Sequence, residues 1–252
     1  MKKIYYYKTY QDDFVQSQDQ DYKISENYKW TNDNLLYKLF SSVMYLIAYI
    51  IGYIYCSFFL HIKIKNANIL KKYKKDGFFL YGNHTQPVGD VFTPAHVCKN
   101  KRIYVIANSC NLKVKVIGSL LPILGIIPIP DTASQMKDFL ATVKKRINEN
   151  KCIVIYPEAH VWPYYTEIRK FPTTSFKFPV ENKAISFCMT STYQKRRFGK
   201  KPKITVYIDG PFFIDEKLSK KENQNKLCDE IYECMKKRSK NSTYKYIEYI
   251  PK

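Results

Sequence analysis

The sequence predicts an α/β fold: a mixed, largely parallel sheet covered by helices, with one long uncharged helical segment ahead of it. Short apolar runs, each of strand length, recur between residues 78 and 208. Stretches of helical period separate them, the pattern of strands alternating with covering helices. The length of 252 residues suits one α/β domain and an appendage, and 45% hydrophobic residues can fill its core.

Residues 1–38 hold six Lys and six acidic residues, are dotted with Tyr and show no clear period, so they read as a polar N-terminal arm. Met1-Lys2-Lys3 opens the chain, but Tyr5-Tyr6-Tyr7 is too short for the apolar core of a signal peptide and Lys8 interrupts it. Leu39–Leu60 is 22 residues without a charge. As a helix it spans roughly 33 Å, enough to cross a hydrocarbon layer. Ser41, Ser42, Ser57, Gly52 and four Tyr temper it, so a buried core helix, a spanning helix and a helix lying in the bilayer interface all remain open. Lys63, Lys65, Lys71, Lys72, Lys74 and Lys75 follow, with no acid before Asp76. Lysines beside an apolar segment mark the cytoplasmic side of a membrane and attract anionic lipid. Residues 39–62 are therefore expected to be a membrane-associated segment, and 63–252 the α/β domain.

Within that domain the strands expected are Phe78–Tyr81, Ile103–Ala107, Cys152–Tyr156, Ala184–Met189 and Ile204–Ile208. Ala133–Asn148 places Met136, Phe139, Leu140, Val143 and Ile147 at helical spacing. Ser219-x-x-Glu222 has the form of a capping box opening a last helix with Leu227, Ile231 and Met235. Val116–Pro130 is uncharged, broken by Pro and Gly, and suits either core or the wall of an apolar groove.

The net charge of +20 falls entirely on residues 39–252 and implies an anionic partner: nucleic acid, an anionic membrane or a phosphorylated substrate. Seven scattered cysteines without a Cys-x-x-Cys pair argue against a disulfide framework or a zinc site, and for a reducing compartment. The basic run Gln194–Lys203 has one aromatic residue and no nucleic-acid fold signature, and reads as a solvated loop between strands. A non-catalytic protein binding anionic membrane or nucleic acid is the competing reading.

The chemistry concentrates after the first strand, in Tyr81-Gly82-Asn83-His84-Thr85-Gln86-Pro87-Val88-Gly89-Asp90. A histidine titrates near neutrality and can take a proton from an alcohol, and a nearby carboxylate can fix its tautomer and stabilise the imidazolium. Residues six apart cannot share a helix face, but Pro87 and Gly89 make a turn that lets them meet. A second strand end, Tyr156-Pro157-Glu158-Ala159-His160, brings a glutamate to the edge where α/β sheets collect ligand residues. His61 and His96 have no such company.

In this order these blocks resemble the glycerolipid acyltransferase family, in particular the bacterial 1-acyl-glycerol-3-phosphate acyltransferases. Asn83-His84…Asp90 is similar to that family's Asn-His-x4-Asp block, with five intervening residues instead of four. Gly125–Pro130 resembles the second block without its Arg, Tyr156–His160 the third without its Gly, Thr and Arg, and Ala184–Met189 the fourth. The resemblance spans residues 39–215. It implies an O-acyltransferase on the cytoplasmic side of the cell membrane. The acyl donor is a thioester on coenzyme A or acyl carrier protein, and the acceptor is a lysophospholipid such as 1-acyl-glycerol-3-phosphate; another lipid acceptor is the alternative. No metal or other cofactor is implied. His84 and Asp90 are the catalytic pair, backbone N–H groups near His84 hold the oxyanion, and Asn83 and Glu158 belong to the substrate site. Because the motif arginines that hold the acceptor phosphate are missing, Arg169 and Lys170 are expected to replace them, with Arg102 and Lys113 next in line, leaving Glu158 without an arginine partner.

Overall fold

Strands of alternating large side chains buried on both faces explain the central sheet. On Phe78–Gly82 (β3), Phe79 and Tyr81 enter one core while Phe78 and Leu80 enter the other; on Cys152–Ile155 (β6), Ile153 and Ile155 part from Cys152 and Val154 in the same way. The computed structural model describes residues 3–15, 21–99, 101–115 and 117–252. Val116, the first residue of the apolar run 116–130, lies outside them.

The other sheet strands are Lys63–Lys65 (β2), Ile103–Ala107 (β4), Ile126–Pro128 (β5), Ile185–Gln194 (β7) and Lys203–Phe212 (β8), in the order β2-β8-β7-β3-β6-β4-β5. All neighbours pair parallel except β7 with β8. A mixed, mostly parallel sheet is thus present. β7 and β8 each outrun their expected lengths, β7 because Thr190, Ser191 and Thr192 are buried polar residues that an apolar pattern does not mark, β8 through Asp209, Gly210, Pro211 and Phe212. Gln194–Lys203 connects this antiparallel pair, with residues 197–201 exposed, as a solvated loop should be.

The helices are Leu35–Ile54 (α1), Gly89–Val97 (α2), Leu121–Leu124 (α3), Ala133–Asn148 (α4), Lys177–Glu181 (α5) and Lys220–Ser239 (α6). Thr132 caps α4 and Ser219 and Glu222 close the capping box of α6. Residues of α4, α5 and α6 fill one core, and the end of the chain's long apolar segment, α2 and β2 border the other.

Helix α1 begins four residues before the uncharged segment because Asn34 caps it, accepting from Leu36 N and Tyr37 N. A π-helical turn, Tyr55–Phe59, continues it. Together they make a 25-residue stretch, long and apolar enough to cross a membrane. One stripe, through Ser41, Gly52 and Cys56, is buried against the domain, while Leu39, Phe40, Val43, Leu46, Ile47, Ile50 and Ile51 are exposed. Gly52 is required there: a Cβ would stand 2.5 Å from Phe92 Cδ1 of α2.

The arm differs from expectation. Lys3–Tyr7 (β1) pairs parallel with Ile247–Pro251 (β9) in a second, two-stranded sheet. Residues 3–15 then wrap Trp162, which touches Tyr7, Tyr10 and Phe14 and donates from Nε1 to Asp12 O at 2.8 Å. Further on, Ile24 N donates to Asp131 Oδ2 and Trp30 packs on Phe139. The arm is part of the folded domain, held by contacts distant in sequence.

Candidate active site

Strand β3 ends at Gly82 and α2 starts at Gly89, so the six residues between them form a turn at the carboxyl edge of the sheet. Gly89 lets this turn close: a Cβ there would lie 2.9 Å from Gln86 Cβ and 3.0 Å from Leu60 Cδ1. The closure brings His84 Nδ1 to 2.8 Å from Asp90 Oδ2. The five-residue separation is therefore compatible with a histidine–carboxylate pair. Since Asp90 Oδ2 also accepts Gln86 N at 2.9 Å, the carboxylate acts as acceptor, and the His84 Nδ1–H donates to it. The Nε2 edge is left to take a proton, and the His84 side chain retains 21% exposure. Burial pushes the Asp90 carboxyl above its ordinary range, opposed by the His84 bond and by backbone N–H groups of Gln86 and Thr85. The first turn of α2 also favours its charge.

Tyr156 was not anticipated in the sequence. Its ring stacks on His84 at 4.4 Å and its hydroxyl donates to Asp90 O at 2.6 Å, so one side chain fixes both members of the pair. Thr85 and Gln86 are likewise anchored: Tyr193 OH meets Thr85 Oγ1 at 2.6 Å and accepts Gln86 Nε2 at 2.8 Å. Tyr193 lies on the polar extension of β7, which the apolar pattern did not reveal.

Glu158 stands behind the histidine. Its Oε2 accepts His84 N at 3.0 Å and Arg169 Nη2 at 3.2 Å, and Oε1 accepts Arg169 N at 2.8 Å. Arg169 also donates to Tyr10 O and to His160 O, and its guanidinium lies over Trp162 at 4.8 Å. With Arg169 2% and Glu158 5% exposed, both are interior struts. This corrects two expectations: Glu158 does have an arginine partner, and that partner is the residue expected to hold an acceptor phosphate. A buried carboxylate needs a paired cation, and this need takes Arg169 out of the open site. Asn83 is corrected similarly. Its amide donates to Ser191 O at 3.1 Å and accepts Ser191 N at 2.8 Å, so both ends are spent on β7. Backbone N–H groups of His84 and Gln86 are committed to carboxylates and cannot hold an oxyanion. Lys170 is exposed. Arg102 precedes β4 and so lies at the opposite edge of the sheet, whereas Lys113 follows β4 at the edge of His84.

Trp162 N donates to His84 O at 3.0 Å and Tyr164 N to Thr85 O at 2.8 Å, completing the clamp. Ala159 and Tyr164 both have positive φ, 63° and 58°. At Ala159, where the resembled family has Gly, the sharp turn is kept despite the Cβ.

From Val91, one residue beyond Asp90, an apolar slot of about 70 Å3 runs between α1, α2 and the 121–126 segment, walled by Tyr45, Phe92, Leu121 and Leu124. Among the described residues one cluster has metal-ligand character: Cys188, Asp209 and Cys234 place ligand atoms within 4.8 Å of one another. Arg238 already grips Asp209 with bonds of 2.8 and 2.6 Å, supplying the positive charge that a metal would bring.

A family model described as Acyltransferase matches residues 61–191, and the chain belongs to that family. No curated protein matches it in sequence. Among solved structures it is similar to the 1-acyl-sn-glycerophosphate (LPA) acyltransferase PlsC from Thermotoga maritima. That likeness has a TM-score of 0.53 at 12% identity, over 83% of this chain and 80% of that one, and concerns the fold.

Proposed function

We propose that this acyltransferase moves a fatty acyl group from a thioester to the free hydroxyl of a lysophospholipid at a membrane surface, with 1-acyl-glycerol-3-phosphate as the favoured acceptor. The observation that carries the reading is the 2.8 Å His84–Asp90 bond, with the other imidazole edge open. His84 Nε2 takes the acceptor's hydroxyl proton as the oxygen attacks the thioester carbonyl. Asp90 stabilises the imidazolium that forms. The tetrahedral adduct expels the thiolate of coenzyme A or acyl carrier protein, which recovers the proton from His84, so no acyl-enzyme and no metal is needed. Tyr156, Glu158 and Arg169 hold the pair in register. Lys170, exposed beside the strut, is the remaining candidate for the acceptor phosphate, with Lys113 at the same edge.

The exposed apolar side of α1 faces lipid, with the lysines of residues 63–75 against anionic headgroups on the cytoplasmic side. Because Ser41, Gly52 and Cys56 all pack on the domain, α1 runs alongside it, an arrangement that favours lying in the interface over spanning. The acyl chain then enters the slot beside Val91.

The test is acyl transfer by the full chain in detergent or on vesicles, with a panel of lysolipids and both thioester donors. Transfer to 1-acyl-glycerol-3-phosphate that disappears in His84→Ala supports the reading. Transfer only to uncharged lysolipids replaces the acceptor class, and thioester-independent inertness with every acceptor refutes the function.

A further inference from the structure

A second cavity, of about 340 Å3, opens at the amino edge of the sheet, opposite the edge that carries His84. Its position follows from the strands: Arg102 precedes β4 and Lys151 precedes β6, both parallel to β3, whose far end delivers the histidine. Five cations line it, Lys29, Lys38, Arg102, Arg146 and Lys151, against one lining acid, Glu149. Glu149 is bound to Arg146 Nη1 at 2.7 Å, and Asp33, just outside, pairs with Lys38 at 3.0 Å. Lys29, Arg102 and Lys151 make no ion pair among the described residues.

The two guanidinium groups are held but not saturated. Arg102 Nη2 donates to Ser41 Oγ and to Ile123 O, both at 2.6 Å, and its plane lies by the rings of Tyr45 and Tyr104. Arg146 shares Tyr104 from 4.6 Å. Among the described residues the Nε of each is buried without an acceptor, and each group uses only one of its terminal nitrogens. Two fixed arginine forks with unspent donors, ringed by lysines, suit a phosphate group, which can accept from both forks at once. The cavity has the size of a small-ligand site.

We propose that this cavity is a second anion site, separate from the catalytic one, which takes a phosphate-bearing headgroup of an anionic membrane lipid. Its outer wall is the start of α1, through Tyr37, Lys38, Ser41 and Ser42. The same two turns expose Leu35, Leu36, Leu39 and Phe40. A helix seated in the interface on those residues brings the cavity to headgroup depth. The choice of a lipid source rests on the membrane placement of α1 proposed above; the anion site itself does not, nor does it rest on acyl transfer.

The experiment is amine-reactive labelling of the full chain read by mass spectrometry, with soluble short-chain phosphatidic acid, short-chain phosphatidylcholine or inorganic phosphate as probe. Lys29, Lys38 and Lys151 should be protected by phosphatidic acid and not by phosphatidylcholine, while Lys71 and Lys72 keep their labelling rates. Arg146→Gln should weaken that protection about tenfold, the effect of losing one charge-assisted contact. His84→Ala should leave it intact, which separates this site from the catalytic reading. Protection by inorganic phosphate alone at the same concentration would retain the phosphate site and overturn the lipid source. Equal labelling with every probe, in native protein with normal melting behaviour, would overturn the site.

Discussion

The turn at residues 83–90 and helix α1 both lean on α2, yet they treat their surroundings in opposite ways. In the turn nearly every polar group is answered inside the protein: Asn83 by Ser191, His84 by Glu158, Trp162 and Asp90, Gln86 by Asp90 and Tyr193. Along α1 a single stripe is answered and most of the rest is apolar side chain turned outward. The first region is specified by the protein alone, through buried hydrogen bonds whose loss leaves an unpaired group. The second presents a contiguous apolar face of the kind that marks an interaction surface. Precise chemistry and loose attachment are thus assigned to adjacent elements.

Substitutions can break that comparison, and the largest effect belongs to the turn. His84→Ala should cut turnover by about 10²–10⁴-fold, the usual worth of a general base, with vesicle binding unchanged. Thioester consumption and vesicle flotation on one preparation check both halves; a well-folded variant with native turnover removes the catalytic assignment.

Asp90→Asn should lower kcat by on the order of 10²-fold with little change in acceptor KM, because the imidazolium loses its counter-charge. Stability should move the other way. Burial holds the folded-state pKa of Asp90 above its ordinary 3.8, so the native protein is favoured by the protonated form at acid pH and loses that contribution as pH rises through the folded value. Asparagine has no proton to lose. The variant should therefore gain on wild type as pH rises above the ordinary carboxylate range, measured by denaturant unfolding at several pH values. A gap that is flat with pH contradicts the buried-carboxylate account.

Helix α1 should separate into two faces. Gly52→Val on the packed side forces a side chain into Phe92 and should cost about 1–3 kcal/mol of stability. Ile47→Asp with Ile51→Asp, on the exposed side, should leave the melting temperature in detergent near native and weaken flotation with anionic vesicles. Native flotation of that double variant would show that the outward face does not meet lipid.

The smallest effect is Ala159→Gly. A left-handed alanine is strained by about 1–2 kcal/mol, while glycine loses some 0.5–1 kcal/mol more chain entropy on folding. The net expectation is a slight rise in melting temperature with the His84–Asp90 geometry retained. A clear fall would mean that the Ala159 methyl group contributes packing.

Local signals in the sequence were sufficient for β3, β4, β6 and α4, where apolar period and length agree, and for the capping box of Ser219 and Glu222. They were also sufficient to pair His84 with Asp90, because a turn with Pro87 and Gly89 brings neighbours together. Arg169, Asn83 and Tyr193 were beyond such reading. Their roles depend on partners 11 and about 108 residues away, and a polar residue that will be spent on a buried partner looks in sequence like one reserved for a ligand. The Tyr-rich start of the chain carried no signal for β1, since a strand at the rim of the fold needs no continuous apolar face.

The pairing of β1 with β9 links stretches separated by nearly the whole chain, and such contacts are the slowest to form. The strip that β1 anchors contributes the Tyr10 carbonyl to Arg169 and the cover over Trp162. The strut under His84 has its full set of partners only once that pairing is made. A folding chain can assemble its seven-stranded sheet and still lack a correctly aimed histidine, so activity should return later than secondary structure when the unfolded protein is diluted into native conditions.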